Sequence, residues 1–149
     1  MVNQRSIKAF TLIELIVVLT IVGLLLAVVP PMMSNVIDNA QVKSATRQLA
    51  AGLKYARSKA ITSKEETTLS LDVENKSFSI GKKNKKLNLP KESSLTLTTA
   101  QSEQTSEKQG AIRFFADGSS TGGQIKISHK RSEFLVDVNW LTGKVIIIP

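Results

Sequence analysis

The chain has 149 residues and no cysteine, so it supplies one modest domain and offers no disulfide, thiol nucleophile or thiolate metal site. Twenty Lys and Arg against twelve Asp and Glu permit attraction to anionic lipid or nucleic acid, but a net charge by itself identifies neither. The run from Phe10 to Val29 is apolar except for Thr11, Glu14, Thr20 and Gly23, which leaves roughly 115 residues for a folded domain.

Residues 1–9 are polar and carry Arg5 and Lys8; hydrophobicity then begins at Phe10 and lasts until Pro30 and Pro31. About twenty helical residues span about 30 Å, the thickness of a bilayer core. An ordinary secretory signal has an apolar region of about 7 to 15 residues and a small-residue cleavage site, and no such site follows Val29. Arg5 and Lys8 favour a cytoplasmic leader, so the expectation is a single pass with the N-terminus inside and everything after Pro31 outside. Glu14 is the anomaly in this run, since an acid well inside a membrane helix costs on the order of 2.5 to 3.5 kcal/mol. Cleavage between Ala9 and Phe10 would create an amino group that, on a neighbouring copy or homologue, pairs with Glu14. The alternative is a side chain that snorkels to the interface.

Lys8-Ala9-Phe10-Thr11-Leu12-Ile13-Glu14-Leu15 resembles the processing site of type IV pilins and pseudopilins. The resemblance implies that a prepilin peptidase cuts before Phe10 on the cytoplasmic side and methylates its new amino group, and that Glu14 aligns subunits in a helical filament. Ala9 departs from the Gly usual before the cut. Pro30 and Pro31 look like the proline that kinks pilin helices, because a ring without an N–H interrupts the hydrogen-bond ladder.

After the prolines, Met33, Val36, Ile37, Ala40, Ala45, Leu49, Leu53, Ala56 and Ala60 recur at three- and four-residue steps, with Lys43, Arg47, Lys54 and Lys59 mostly off that stripe. This predicts an amphipathic helix over 30–62, continuing the first into one kinked rod of roughly 50 residues and about 75 Å. From Glu66 the period changes to two. Leu69, Leu71 and Val73 alternate with polar residues and Glu74-Asn75 turns the chain into Phe78 and Ile80, a predicted hairpin. Further strands are predicted at 87–89, 95–99, 111–115, 124–128, 133–139 and 144–148, the last two joined across Thr142-Gly143. All could pair antiparallel. Residues 100–109 have no apolar anchor and read as a loop.

The segments Leu49-Ala50-Ala51-Gly52-Leu53-Lys54-Tyr55-Ala56-Arg57-Ser58, Phe114-Phe115-Ala116-Asp117-Gly118-Ser119-Ser120-Thr121-Gly122-Gly123 and Val136-Asp137-Val138-Asn139-Trp140-Leu141-Thr142-Gly143-Lys144-Val145 look like general secretion pathway protein H. The resemblance covers most of the chain and is weakest over 72–109. It implies an α+β, pilin-like fold, with the long kinked helix packed on two small antiparallel sheets in a domain running from 63 to 149. It also implies a minor pseudopilin of the type II secretion system, at or near the pseudopilus tip, supporting export of folded proteins across the outer membrane. The implied partners are other pseudopilins, the prepilin peptidase, the inner-membrane assembly platform and secreted substrates. The implied location is the inner membrane, then the pseudopilus.

Other chemistry is thinly supplied. Residues 117–123 lack the Gly-Lys-Ser/Thr ending of a phosphate loop and read as a hairpin connection between Phe115 and Ile125. The Lys82-Lys83-Asn84-Lys85-Lys86 cluster has no interleaved aromatics and reads as a solvated turn, so a nucleic-acid partner is not expected. His129 is the only histidine and, with no acid at pairing distance in sequence, reads as a surface residue. Asp72, Asp117 and Asp137 lack metal-ligand spacing, and Trp140 reads as strand-end packing. No enzyme, cofactor or metal is expected. A minor pilin of a type IV pilus, serving pilus priming or DNA uptake, shares the leader and helix and is the alternative. A lone membrane-anchored sensor would retain its leader.

Overall fold

In the computed structural model the described residues are 10–100, 104–106, 108–130 and 132–149, with the side chains of 28–35 and 104–106 outside the description. Ala9 and the rest of the expected leader lie outside it. The chain divides into two compact units, Met1–Val36 and Ile37–Pro149.

A single helix, α1, runs over Leu12–Ser63. Thr11 caps it: its Oγ1 accepts the Glu14 backbone N–H at 3.3 Å, and its carbonyl accepts from Leu15 at 3.2 Å. This is half of a Ser/Thr-x-x-Glu capping box, with Glu14 in the first turn where a carboxylate also suits the helix dipole. Pro30 and Pro31 lie within α1 and do not end it. In the first unit the apolar side chains described between Phe10 and Leu26 are all exposed. Among the described residues no helix is long and apolar enough to cross a membrane.

In the second unit one stripe of α1 is buried: Val42, Ala45, Leu49, Ala50, Leu53, Ala56 and Ala60. The three- and four-residue steps are as predicted from Ala45 onward. Val36, Ile37 and Ala40 are exposed, so the buried stripe begins later than the periodicity suggested. Lys64, at a positive φ of 59°, ends the helix in the left-handed conformation common one residue past a helix C-terminus.

Nine strands follow among the described residues: β1 (Thr67–Asp72), β2 (Ser77–Ile80), β3 (Lys83–Lys86), β4 (Ser94–Thr99), β5 (Gln104–Ser106), β6 (Gln109–Phe114), β7 (Gly123–His129), β8 (Ser132–Val138) and β9 (Val145–Ile148). They form a five-stranded sheet, β3-β2-β1-β6-β5, and a four-stranded sheet, β4-β7-β8-β9, with every pairing antiparallel. Each sheet contributes one apolar face to the core. Leu69, Leu71, Phe78, Ile80, Ile112 and Phe114 come from the first sheet, and Leu95, Ile125, Ile127, Val136, Val138 and Val145 from the second. Their alternation with polar neighbours is what fixes the register, because a one-residue slip would turn the whole set outward. Phe78 lies against Gly52, where an added Cβ would sit 2.6 Å from its ring, so the absent side chain at Gly52 lets this strand approach the helix.

Four expectations are corrected. The strand predicted at 87–89 is not there; the basic cluster forms β3 instead, with Ile80 opposite Lys83 across a two-residue turn in which Gly81 takes a φ of 61°. The 100–109 stretch contains the short strand β5. Both strands are held by backbone bonds, which leave no alternating apolar signature to read. The 117–123 connection joins strands of different sheets rather than a hairpin, because β6 lies beside β1 and β7 beside β4 and β8. Trp140, expected to pack at a strand end, is 66% exposed.

Candidate functional site

The expected site residues lie in the first unit. Phe10 precedes the helix and is exposed, and Glu14 stands one turn further on. The Glu14 carboxylate makes no hydrogen bond or ion pair among the described residues, so an acid and a run of exposed apolar side chains share this end of α1.

In the second unit the three segments that suggested a family converge on Arg57. Its Nε lies 3.1 Å from the carbonyl oxygens of both Gly118 and Thr142 and donates to them, tying the helix to the inter-sheet connection and to the β8–β9 turn. Gly143 completes the junction. It holds a φ of 60°, and a Cβ there would overlap the Gly118 carbonyl oxygen and crowd Arg57. The turn is braced further by Asn139, whose Oδ1 accepts from Leu141 N, Thr142 N and the Thr142 hydroxyl, and by Ser120 N, which donates to the Trp140 carbonyl at 2.8 Å. The effect is a rigid turn that holds Trp140 and Leu141 in solvent, 66% and 63% exposed. In the connection itself Asp117 accepts from Ser119 N and Oγ, which holds its carboxyl below the usual range and spends the amide a phosphate would need.

His129 is not a surface residue. It is 3% exposed, its Nε2 lies 3.1 Å from Asp38 Oδ2 on α1, and its Nδ1 lies 3.3 Å from Ser93 Oγ. The two ring nitrogens thus join Asp38 on one side and the Ser93 hydroxyl on the other. The connectivity has the members of a Ser-His-Asp triad, but Ser93 is only 7% exposed, so its hydroxyl is closed to a substrate. The network is a clasp between α1, the segment before β4 and the end of β7. Sequence reasoning missed it because Asp38 lies 91 residues from His129.

Asp38 also accepts from Lys130 Nζ at 3.0 Å, and these two bonds, that to Lys130 first, hold its carboxyl below the usual carboxylate range. A depressed carboxylate stabilises the fold above its unfolded pKa, and that contribution is lost as pH falls through the lower folded value. The difference in urea midpoint between the native chain and Asp38→Asn is therefore expected to be constant above about pH 5 and to shrink below about pH 4. A difference that persists undiminished well below about pH 4 would show that the carboxylate charge does not hold the clasp.

Asp72, another acid set aside for lack of spacing, is the acceptor of the β1–β2 turn. It takes the Asn75 N–H at 2.8 Å and the Asn75 and Gln109 amides, which hold its carboxyl low. Asp137 accepts from Gln124 across β7 and β8 at 2.9 Å. Among the described residues no three His, Cys, Asp or Glu side chains gather in a way that could hold a metal ion.

A long N-terminal helix whose second half packs on two antiparallel sheets, preceded by the Phe10–Glu14 pattern, defines a pilin-like protein. Solved structures with this fold include the type IV minor pilin FimU of Pseudomonas aeruginosa, with a TM-score of 0.59 at 16% identity over 74% of this chain and 90% of that one. They also include the minor pseudopilin EpsH from the type 2 secretion system of Vibrio cholerae, with a TM-score of 0.55 at 13% identity over 72% of this chain and 96% of that one. Residues 4–30 match the prokaryotic N-terminal methylation motif and residues 45–142 match type II transport protein GspH. Type II secretion system protein H of Xanthomonas campestris pv. campestris is 31% identical over 144 residues, 97% of this chain and 85% of that one. The chain belongs to the type II transport protein GspH family.

Proposed function

We propose that this protein is a minor pseudopilin that acts in a type II secretion system at or near the tip of the pseudopilus, supporting export of folded proteins from the periplasm across the outer membrane. The observation that carries the reading is the combination of the methylation motif over 4–30 with a family match over 45–142. Its role is assembly rather than catalysis. Residues 1–9 are removed between Ala9 and Phe10 by the prepilin peptidase, which methylates Phe10. Residues 10–29 cross the inner membrane with the N-terminus cytoplasmic, then become part of the filament core, and Pro30 and Pro31 bend the rod there. An apolar surface exposed on all sides of a helix has to be covered, first by lipid and then by neighbouring helices. Glu14 sets the register by pairing with the amino group of an adjacent subunit. Other pseudopilins are its direct partners, the assembly platform inserts it, and secreted substrates meet the exposed domain.

The fold alone is shared with pilus subunits; the family match and the type II secretion relative favour secretion over the pilus. A strain lacking the gene is expected to trap exoproteins in the periplasm with motility and DNA uptake intact, measured as hydrolase activity in the supernatant. Normal secretion with lost motility or uptake would transfer the protein to a type IV pilus.

A further inference from the structure

The five-stranded sheet ends in β3, and all four of its residues are exposed. An edge strand offers unpaired backbone donors and acceptors to any extended chain. Here the edge is also charged. Lys82, Lys83, Lys85 and Lys86 make no ion pair among the described residues, although Lys108, Glu74, Arg113, Glu66, Lys126, Glu133, Lys130 and Asp38 pair off.

The pairing register distributes these cations over both faces. Lys83 and Lys85 lie opposite Ile80 and Phe78 and share their face, whereas Lys86 lies opposite Ser77 and Asn84 opposite Ser79 on the other. On that second face Ser77, Asn84, Asn75 and Lys86 line one shallow concavity. The side chains of Ser77, Ser79 and Asn84 make no hydrogen bond among the described residues, so hydroxyls and an amide stand free beside the cations.

We propose that β3 is the docking edge for an acidic, extended segment of a partner protein, which adds to the sheet as a sixth strand. Backbone bonds to β3 supply affinity and carboxylates on both faces of the added strand meet the lysines, so the fitting sequence has acids at consecutive rather than alternate positions. A second copy of this chain does not fit, because edge-to-edge pairing would set lysine against lysine in a protein of net charge +8. The proposal rests on the edge and not on the secretion reading, and it stands or falls separately.

The test uses the full chain in detergent micelles and a fluorescent ten-residue peptide of Glu, Asp and Thr. The peptide is expected to bind, and to bind more weakly as salt rises toward and beyond physiological strength, where the screening length is about 8 Å. Lys83→Glu with Lys85→Glu and Lys86→Glu is expected to weaken it at least roughly tenfold with an unchanged urea midpoint. Should that variant lose its fold, Lys85→Ala with Lys86→Ala is read instead, with the same direction expected. A peptide of the same charge but with N-methylated backbone amides is expected not to bind. Equal binding of the methylated peptide would overturn strand addition. Absence of binding, or tighter binding of duplex DNA that the same lysine substitutions abolish, would overturn the acidic-strand assignment.

Discussion

Glu14→Ala is expected to leave membrane insertion intact while reducing co-purification with partner pseudopilins by about two to three and a half orders of magnitude, because removal of one member of a buried pair costs about 3 to 5 kcal/mol. Insertion and assembly place opposite demands on this acid. A lone acid in the apolar run opposes insertion, so its loss makes insertion easier by up to about 2.5 to 3.5 kcal/mol. If Glu14 pairs with a neighbouring Phe10 amino group as proposed, the same loss strands that group among apolar helices in the filament. Glu14→Gln keeps the shape and is expected to behave like Ala, since an amide supplies no charge. The capping role predicts something smaller: the Thr11 hydroxyl accepts the Glu14 backbone N–H, which survives either substitution, so only the helix-dipole contribution of about 0.3 to 1 kcal/mol is lost. Unchanged co-purification of both variants would leave Glu14 as a helix-start residue and remove the register assignment.

The largest stability loss is expected at Phe114→Ala, about 3 to 5 kcal/mol in urea unfolding of the full chain. Phe114 is fully buried at the end of β6, opposite Thr67 on β1 and bridged to Ser120, where the chain leaves one sheet for the other. Truncation there opens a cavity in the core that the helix and both sheets share, and the surrounding antiparallel ladder limits collapse into it. Trp140→Ala is the matched comparison. That aromatic residue is mostly in solvent, so its removal is expected to change stability by no more than about 0.5 kcal/mol. Equal losses at the two positions would mean that Trp140 is covered in solution and that the turn carrying it packs differently.

Both aromatic residues end or follow strands with good alternation, and the sequence does not separate them. Phe114 continues the inward parity of Ile112, whereas Trp140 follows Val138 with the same parity and yet is exposed. The Asn139–Gly143 turn takes over at that point: Gly143 N bonds Asn139 O and Ser120 N bonds Trp140 O, and the strand parity ends with them.

The leader pattern, the long helix, the buried stripe from Ala45 onward and most of the strands were legible in the residue pattern, because hydrophobic periods of 3.6 and 2 are short-range properties of a chain. The family was legible as well, since the three segments around Arg57, Gly118 and Thr142 are readable in order. Tertiary structure decided which groups meet. Arg57 reaches carbonyls 61 and 85 residues away, His129 reaches Asp38 across 91, and β6 takes its place beside β1 only when the sheet closes. It also decided that a lysine cluster becomes a strand, through backbone bonds to β2 that leave no mark on side-chain pattern. Periodicity reports which face of an element is buried, whereas partner choice depends on packing and hydrogen-bond satisfaction between elements far apart in the chain.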